Sequence, residues 1–493
     1  MTASSDVHVP PGVSVDLAEG ATLPGAFTAA WSAEPSRVAL STLDGGSVSG
    51  EELESRTARA AARFQAYGLA PGDRVLLCGA TSVQYVVAYV GALRAGLTVV
   101  PANPGFTAPE VARLAAVSSP QLAVLDDLSL APALPTTAPD LSGLPAPLAE
   151  PDLDSASAED TALIIYTSGT TGHPKGVPLS HGNLLASAHA VRLAWRWTPD
   201  DTLALCLPLF HVHGLGVGLH GTLVTGARAC LIPRFDPAAV SAAIDAGSTL
   251  LFGVPTMYHR LASSPYLGDL GRLRLAVSGS APLPADLHQT VHEASGQVVL
   301  ERYGMTETVM LVSNPYEGER RAGTVGFPLP GVSLRLAERE GDTAEIQVRG
   351  PNVIRGYLSD PAADAAAFTE DGWFRTGDLG TVDGDGYLRI SGRAKELIIT
   401  GGYNVYPREV EELLRAHPEV ADAAVVGEPD EKWGEVVVAW VVPASPDRDI
   451  VSELDSWARQ NLVDYKRPRR WRLVQAIPRN ALGKILRHEL PPS

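Results

Sequence analysis

The stretch Tyr166-Thr167-Ser168-Gly169-Thr170-Thr171-Gly172-His173-Pro174-Lys175-Gly176 combines four Ser/Thr hydroxyls, three glycines and one lysine in eleven residues. Glycines let backbone N–H groups approach an anion, hydroxyls donate further hydrogen bonds, and a lysine adds a mobile positive charge. The stretch therefore predicts a phosphate-binding loop rather than a solvated Gly/Thr loop. It is not a P-loop, because Lys175 is followed by Gly176 and the glycine spacing differs.

The sequence around this loop predicts an α/β fold. The apolar run Ala162–Ile165 before it is typical of a buried strand, and Asn183–Ala190 after it is typical of a helix. Upstream, predicted strands alternate with predicted helices: Arg74–Cys78, Val83–Ala95, Leu97–Ala102, Pro109–Val117 and Gln121–Asp126. Such alternation favours a doubly wound parallel sheet. Residues 127–158 lack periodicity and are interpreted as a surface connection.

Length and composition narrow the class of protein. A chain of 493 residues exceeds what one core usually supports, so two or more domains are expected. The net charge of −17, with Lys466–Arg472 the only dense basic cluster, argues against nucleic-acid binding. Three cysteines in apolar surroundings indicate a reducing compartment without a disulfide framework. Without a signal-like or membrane-length apolar run, a cytoplasmic protein with no membrane association is expected.

Several motifs together resemble the adenylate-forming superfamily of acyl-CoA synthetases, adenylation domains and luciferases. Besides the phosphate loop, the motifs follow one another in the family's order: Leu207–Gly214, Leu275–Pro282, Glu301–Thr308, Gly372–Asp378, Gly392–Ile398 and Pro478–Ile485. The resemblance implies a large N-terminal domain of doubly wound sheets, residues 1–393, and a small mobile α+β domain, residues 394–493. It also implies ATP, Mg²⁺ and coenzyme A.

The resemblance assigns roles to residues of these motifs. Tyr303 would stack on adenine, Thr306 would bind the α-phosphate, and Glu307 would bind Mg²⁺. Asp378 would bind the ribose, and Arg393 ribose and phosphate, with Lys395 at the hinge. His211 would line the acyl pocket and position the carboxylate, whereas His213 is left open between structural and supporting roles. The full set of expected nucleotide and cofactor contacts is Thr167, Ser168, Gly169, Thr170, Thr171, Lys175, Gly279, Ser280, Ala281, Pro282, Glu301, Arg302, Tyr303, Gly304, Met305, Asp378, Arg393, Gly401 and Gly402.

The implied mechanism has two half-reactions. A carboxylate attacks the α-phosphate of ATP, so the site must neutralise developing charge. Lys175 and Mg²⁺ suit the pyrophosphate, and Lys484 matches the family's catalytic lysine, bridging the carboxylate and the α-phosphate. The small domain then rotates, and Gly401 and Gly402 line a tunnel for the pantetheine thiol, which a side chain would block.

The identity of the acid depends mainly on Arg302. An arginine beside the acyl pocket suits a second carboxylate, which it can hold bidentately. The surrounding sequence resembles malonyl-CoA synthetases, with Arg234 a second candidate cation and Ser278 a further substrate contact. A structural salt-bridge role for either arginine stays open. Val309 and Leu311 depart from that pattern. A fatty or aryl acid, nitrite in a diazotisation, a carrier-protein or amine acceptor, and a non-catalytic nucleotide-binding protein are the alternatives; oligomeric state cannot be read from the sequence.

Overall fold

A computed structural model describes residues 5–147, 150–168, 174–337, 343–445, 448–481 and 483–490. The central part of the phosphate loop, residues 169–173, lies outside the described residues. The expected contacts at Gly169, Thr170 and Thr171 therefore stay predictions. The backbone of Ser168 is described as the last residue of a strand.

The described α-helices are α1 Leu23–Ala33, α2 Gly50–Tyr67, α3 Val83–Arg94, α4 Ala108–Ser118, α5 His181–Ala194, α6 His220–Thr225, α7 Pro237–Asp245, α8 Pro255–Ala262, α9 Ala285–Ser295, α10 Pro361–Ala367, α11 Pro407–Arg415 and α12 Val451–Asn461. A π-helix, His213–Leu219, leads directly into α6. None of the described helices is both long and apolar enough to cross a membrane.

The described strands are β1 Val38–Thr42, β2 Ser47–Ser49, β3 Arg74–Cys78, β4 Thr98–Ala102, β5 Leu122–Leu125, β6 Thr136–Thr137, β7 Thr161–Ser168, β8 Pro174–Ser180, β9 Thr202–Leu205, β10 Arg228–Leu231, β11 Leu250–Gly253, β12 Leu275–Ser278, β13 Leu300–Tyr303, β14 Val312–Ser313, β15 Phe327–Pro328, β16 Ser333–Leu336, β17 Ala344–Arg349, β18 Phe374–Val382, β19 Leu388–Arg393, β20 Ile398–Thr400, β21 Tyr403–Val405, β22 Val420–Asp430, β23 Gly434–Pro443 and β24 Arg470–Leu473.

Two large sheets form the body of the chain. One has the order β6-β5-β3-β4-β7-β8, and its interior pairs are parallel. The other has the order β15-β14-β13-β12-β11-β9-β10-β1-β2, with six parallel strands from β13 to β1. Central parallel strands are covered on both faces, as in β12, where every residue is buried. The predicted α/β fold with doubly wound sheets is confirmed.

Two smaller sheets complete the structure. An antiparallel sheet, β16-β17-β18-β19, ends at Arg393. Beyond it, β20 to β24 form a separate mixed sheet covered by α11 and α12. This last region has its own apolar core, in which Val410 and Leu414 of α11 are buried together with Val437 and Val441 of β23. A separate core supports the expected small C-terminal domain, while the boundary after residue 393 stays a prediction.

Local sequence signals explain where the elements begin and end. A capping box begins α2: the Glu52 N–H donates to Ser49 Oγ at 3.2 Å and the Ser49 N–H to Glu52 Oε2 at 3.0 Å. Helix α2 ends at Gly68, whose φ of 102° is left-handed. One difference concerns the phosphate loop. It is followed first by strand β8, which pairs antiparallel with β7, and helix α5 begins only at His181.

Candidate active site

Four neighbouring strands carry the expected site residues at one sheet edge. Strands β13, β12, β11 and β9 are adjacent in the nine-stranded sheet and run parallel. Their carboxyl ends lead into Gly304, Gly279, Val254 and Cys206, respectively. In open α/β sheets, ligands bind outside these ends of the strands. The fold therefore places motifs that are far apart in the chain along a single edge.

Arg302 is a buried cation without a carboxylate partner among the described residues. Its side chain lies over Gly279: a Cβ built on that glycine would be 2.3 Å from Arg302 Nε. Arg302 is only 6% exposed, and its Nε and Nη2 have no hydrogen-bond partner in the described part of the chain. Burial lowers its pKa to about 9. A desolvated guanidinium with unused donors is the strongest sign of an anion site in this structure.

Two histidines after β9 lie close to Arg302. The His213 N–H donates to His211 Nδ1 at 3.1 Å, and His213 Nδ1 lies 3.2 Å from Ser280 Oγ. Burial and the neighbouring Arg302 lower the pKa of His211 to about 3, and the pKa of His213 also falls well below its usual value. His211 is therefore neutral near pH 7. Because its Nδ1 accepts a hydrogen bond, its proton is on Nε2, which can donate to a carboxylate or phosphate oxygen.

The segment after β12 is held by Glu301. The Glu301 carboxylate accepts hydrogen bonds from the Leu283 N–H at 3.3 Å and the Gly323 N–H at 2.9 Å. Burial raises the pKa of this carboxyl group. Both oxygens thus support the backbone behind the site, whereas the sequence analysis placed Glu301 among the nucleotide contacts. Ser280 adopts a left-handed φ of 67°, which is unusual for a residue with a side chain. Of its neighbours, Ala281 is half-buried and Pro282 is exposed.

Two of the expected substrate contacts are not brought to Arg302. By strand register Ser278 pairs with Glu301, so its side chain shares the face of Glu301 and not that of Arg302. The Ser278 hydroxyl is buried without a partner among the described groups. Arg234 is exposed and follows β10, four strands from β13. At about 4.8 Å per strand, the backbones of β10 and β13 are roughly 19 Å apart, so Arg234 does not lie beside Arg302.

The expected ribose and adenine residues are linked to one another by a hydrogen bond and an ion pair. Tyr303 donates its hydroxyl hydrogen to Asp378 Oδ2 at 2.5 Å, and Arg393 Nε lies 2.9 Å from Asp378 Oδ1. Strands β18 and β19 bring the latter two together, since Asp378 and Arg393 are direct cross-strand partners. Burial and the adjacent Asp378 raise the pKa of Tyr303, so its hydroxyl stays protonated. The structure therefore groups three residues that the motifs predicted separately.

The turn after β13 carries Thr306 and Glu307. Gly304 is required there, because a Cβ would lie 2.1 Å from the Val309 carbonyl oxygen. Asn352, buried beneath the turn, donates to the Thr308 and Met310 carbonyls at 2.8 and 2.7 Å. Sequence reasoning missed Asn352. Met305 and Thr306 remain half-buried at the surface of the turn.

Glu307 and Lys175 meet at Tyr357, a second residue that the sequence analysis missed. The Tyr357 hydroxyl donates to Glu307 Oε1 at 3.0 Å, and Lys175 Nζ lies 5.1 Å from the centre of the Tyr357 ring. Thr167 is the cross-strand partner of Lys175 in the β7–β8 hairpin. Among the described residues Glu307 Oε2 accepts no hydrogen bond, and no cluster of three metal-binding side chains occurs. A single free carboxylate oxygen fits Mg²⁺, which keeps its waters and binds substrate phosphates.

The small domain brings Lys484 to the large domain. A Cβ on the preceding Gly483 would be 2.5 Å from Thr256 Cγ2, at the start of α8. The Lys484 N–H donates to Asn480 Oδ1 at 3.0 Å. Partial desolvation and the nearby Arg393 lower the pKa of Lys484, although its side chain still reaches solvent. This ammonium group therefore lies on the ribose side of the site.

Gly401 and Gly402 lie on the small domain as the two-residue turn between β20 and β21. Both have positive φ, 57° and 82°. A Cβ on Gly401 would lie 2.8 Å from the Trp433 ring, whereas a Cβ on Gly402 would meet no atom within 4 Å. Both residues are exposed in this conformation.

Comparison with known proteins gives consistent matches along the chain. Residues 27–358 match the model of the AMP-binding enzyme family, and residues 409–484 match that of the AMP-binding enzyme C-terminal domain. A feruloyl-CoA synthase of Amycolatopsis sp is 38% identical, over 89% of this chain and 92% of that protein. ATP-bound MatB from Rhodopseudomonas palustris is 38% identical with a TM-score of 0.88, over 95% and 98% of the two chains. A malonyl-CoA ligase with methylmalonyl-CoA and AMP bound is 41% identical with a TM-score of 0.67, over 96% and 99%.

Proposed function

This chain belongs to the AMP-binding enzyme family as an AMP-forming acid–CoA ligase, and from this premise we propose that its acid is a short one with a second anionic group. Malonate and methylmalonate are the leading candidates. The coarser activity is common to its relatives, but their acids differ: one is named for ferulate, another for malonate. The choice of acid must therefore be argued from this chain's own pocket.

The observation that carries the proposal is the unpaired guanidinium of Arg302. Burying a charge without a partner costs several kcal/mol, so proteins rarely keep such a group unless a ligand completes it. The donors left free in the described structure, Nε and Nη2, suit a carboxylate. A fatty or aromatic tail at this position would leave them unsatisfied. A short acid with a carboxylate or sulfonate at its far end would pair with them.

We assign the adenylation step to residues on both sides of the bound ATP. The neutral His211 would donate a hydrogen bond from its Nε2–H group to the reacting carboxylate or to the α-phosphate. Thr306 would donate to the α-phosphate, and Lys484 would place its ammonium between the carboxylate and that phosphate. Mg²⁺, when bound, would neutralise phosphate charge, held by Glu307 on the protein side. Lys175 would do the same from the phosphate loop.

We assign nucleotide binding to the group around Asp378. Its carboxylate would accept hydrogen bonds from the ribose hydroxyls, with Arg393 beside it and the Tyr303 ring against adenine. After adenylation, coenzyme A would enter along Gly401 and Gly402 once the small domain, residues 394–493, has rotated about Lys395. We propose coenzyme A as the acceptor and the cytoplasm as the site of action.

The test is ATP–pyrophosphate exchange with malonate, methylmalonate, sulfoacetate, acetate, octanoate, a hydroxycinnamate and nitrite. The best acid is then followed with coenzyme A by thioester formation. We expect exchange and thioester with malonate or methylmalonate. Exchange with the hydroxycinnamate instead would favour an aryl acid, in line with the feruloyl-CoA synthase relative, and nitrite alone would indicate diazotisation.

The variant Arg302→Met separates the pocket from the chemistry. Removing a buried charge contact typically costs about 2–5 kcal/mol, so kcat/KM for the two-charge acid should fall by at least about 30-fold. The kcat/KM for acetate, which has no second anionic group, should change less than about threefold. Arg320→Met is the matched control, because Arg320 is a half-buried arginine that donates to the Val298 and Tyr316 carbonyls away from the site. An equal loss for malonate and acetate would contradict the proposed pocket.

A further inference from the structure

One segment of the large domain connects the turn after β13, which carries Glu307, to the β7–β8 hairpin, which carries Lys175. We call residues Ile354–Leu358 the strap. At one end the Ile354 N–H donates to the Glu307 carbonyl at 3.0 Å. At the other end the Leu358 N–H donates to the Gly176 carbonyl at 2.9 Å. The strap therefore connects, by backbone hydrogen bonds, the turn that carries Glu307 with the strand that carries Lys175.

Tyr357 makes the same connection with its side chain. Its hydroxyl donates to Glu307 Oε1 at 3.0 Å, and its ring face lies 5.1 Å from Lys175 Nζ. The Tyr357 backbone is itself held, because its N–H donates to Asp364 Oδ1 at 2.6 Å. The Tyr357 side chain thus contacts both Glu307 and Lys175, which the proposed function places at the phosphates of ATP. Nothing in the adenylation step requires Tyr357 itself to react.

We propose that Tyr357 is a positioning residue that restricts Glu307 to one free carboxylate oxygen and so selects a small divalent cation for the bound nucleotide. The inference rests on the proposed function, in which Glu307 faces the metal and Lys175 the pyrophosphate. With Oε1 occupied by the phenol, only Oε2 remains for a cation. The ring holds Lys175 nearby through a cation–π contact.

The selectivity follows from the coordination habits of the two ions. Mg²⁺ takes single oxygens in a near-octahedral arrangement and keeps several waters, whereas Ca²⁺ readily accepts both oxygens of one carboxylate. A Glu307 carboxylate limited to one oxygen disfavours Ca²⁺. Without the phenol the carboxylate could rotate and offer both oxygens, which would weaken Mg²⁺ binding and improve Ca²⁺ binding.

The test measures ATP binding by calorimetry in the absence of any acid, with Mg²⁺, with Ca²⁺ and without metal. The wild type should bind ATP more tightly with Mg²⁺ than with Ca²⁺. In Tyr357→Phe the ring under Lys175 is kept and only the hydroxyl is lost. Loss of a group that orients a metal ligand usually costs about 10- to 100-fold, so Mg²⁺-supported affinity should fall about tenfold. The ratio of the ATP affinity with Mg²⁺ to that with Ca²⁺ should decrease. The affinity for ATP without metal should change less than about threefold.

Tyr387→Phe is the matched control. Tyr387 also donates its hydroxyl hydrogen, to the Glu319 carbonyl at 2.8 Å, and carries a cation over its ring, with Arg321 Cζ at 4.2 Å. It contacts neither Glu307 nor Lys175 in the described structure. This variant should bind ATP as the wild type does with either metal.

A double variant shows whether Tyr357 acts through Glu307. In a Glu307→Gln background, Tyr357→Phe should no longer alter the Mg²⁺/Ca²⁺ preference. An unchanged preference in Tyr357→Phe, with Mg²⁺-supported ATP binding intact in the wild type, would overturn the inference alone. A wild type that does not bind ATP with either metal would instead overturn the proposed function.

Discussion

Lys484 follows Gly483, which lies so close to Thr256 of the large domain that a Cβ on it would be 2.5 Å from Thr256 Cγ2. Its lowered pKa reflects desolvation and the neighbouring Arg393. Both effects indicate that the ammonium group lies near Arg393, although the side chain remains exposed. A lysine near the end of a chain is ordinarily solvated and without a role. The role proposed for Lys484 rests on its proximity to Arg393 and to the large domain.

We expect Lys484→Ala to separate the two half-reactions. Loss of one electrostatic donor at the reacting phosphate should cost on the order of 3 kcal/mol, or about 150-fold in ATP–pyrophosphate exchange. Thioester formation from preformed acyl-adenylate should change less than about threefold. Lys466→Ala, which breaks a surface ion pair with Glu409 in the same domain, is the control. Equal losses in both half-reactions would rule out this division of labour.

Sequence motifs single out site residues where the motif contains the chemical group itself, and the roles of these residues stay predictions. Tyr303, Asp378 and Arg393 were identified from three separate motifs and are linked by one hydrogen bond and one ion pair. Contacts set by tertiary packing were missed. Tyr357 lies 50 residues from Glu307 along the chain, and nothing local to it indicates the contact. Glu301 accepts hydrogen bonds from backbone N–H groups of distant segments, which leave no sequence pattern, and its expected nucleotide contact stays a prediction.

At the scale of elements, the β20–β21 turn is built from two glycines for two different reasons. Gly401 has a left-handed φ and no room, because Trp433 lies against it. Gly402 has a left-handed φ but open space around it. Only Gly402 can therefore accept a side chain without a clash in the present conformation, which makes it the position that tests the thiol tunnel apart from the fold.

We expect Gly402→Asn to leave adenylation within about threefold of the wild type and to slow thioester formation. Asparagine tolerates a left-handed φ, so the turn should be kept. Its side chain would stand in the proposed path of the thiol. Gly68→Asn is matched in geometry, with positive φ and open space at the end of α2. Rapid-quench measurement of both half-reactions checks the prediction; undiminished thioester formation would remove Gly402 from the tunnel.

The elements themselves were largely predictable, because helix signals and apolar runs are local. Helices α3 and α4 and strands β3, β4 and β5 lie within one or two residues of their predicted bounds. The hairpin after the phosphate loop was not predicted. Residues 174–180 contain two prolines and two glycine or serine residues, a composition that disfavours strands. Pairing with the apolar β7 overrides that local preference.

At the scale of the whole molecule, the described chain buries an unusual set of histidines in neutral form. Burial lowers the pKa of His8 and His181 to about 4 and that of His220 to about 3. Burial and the neighbouring Arg302 also lower the pKa values of His211 and His213. In the unfolded chain each would titrate near about 6.5. The unfolded state therefore binds more protons than the folded state below that pH.

We expect stability to be complete above about pH 6.5 and to fall as the pH decreases toward about 4. Each of these histidines contributes up to about 1.4 kcal/mol per pH unit, because protonation favours unfolding until the folded pKa is reached. Scanning calorimetry at pH 7.5, 6.5 and 5.5, in buffers of different ionisation enthalpy, measures the melting temperature and proton uptake. About four protons should be taken up on unfolding at pH 5.5. Uptake of fewer than about one proton on unfolding would contradict the conclusion that these histidines are neutral in the folded protein.

The close approach of Arg302 to Gly279 has a consequence for the history of the pocket. Since a Cβ at position 279 would lie 2.3 Å from Arg302 Nε, any other residue there would displace the arginine. In a lineage that gains this pocket, we therefore expect glycine at 279 to precede arginine at 302, because the arginine can take its present position only beside glycine. Substrate preference at this sheet edge is thus contingent on the sequence of mutations, and laboratory transplants of the pocket should move both positions together.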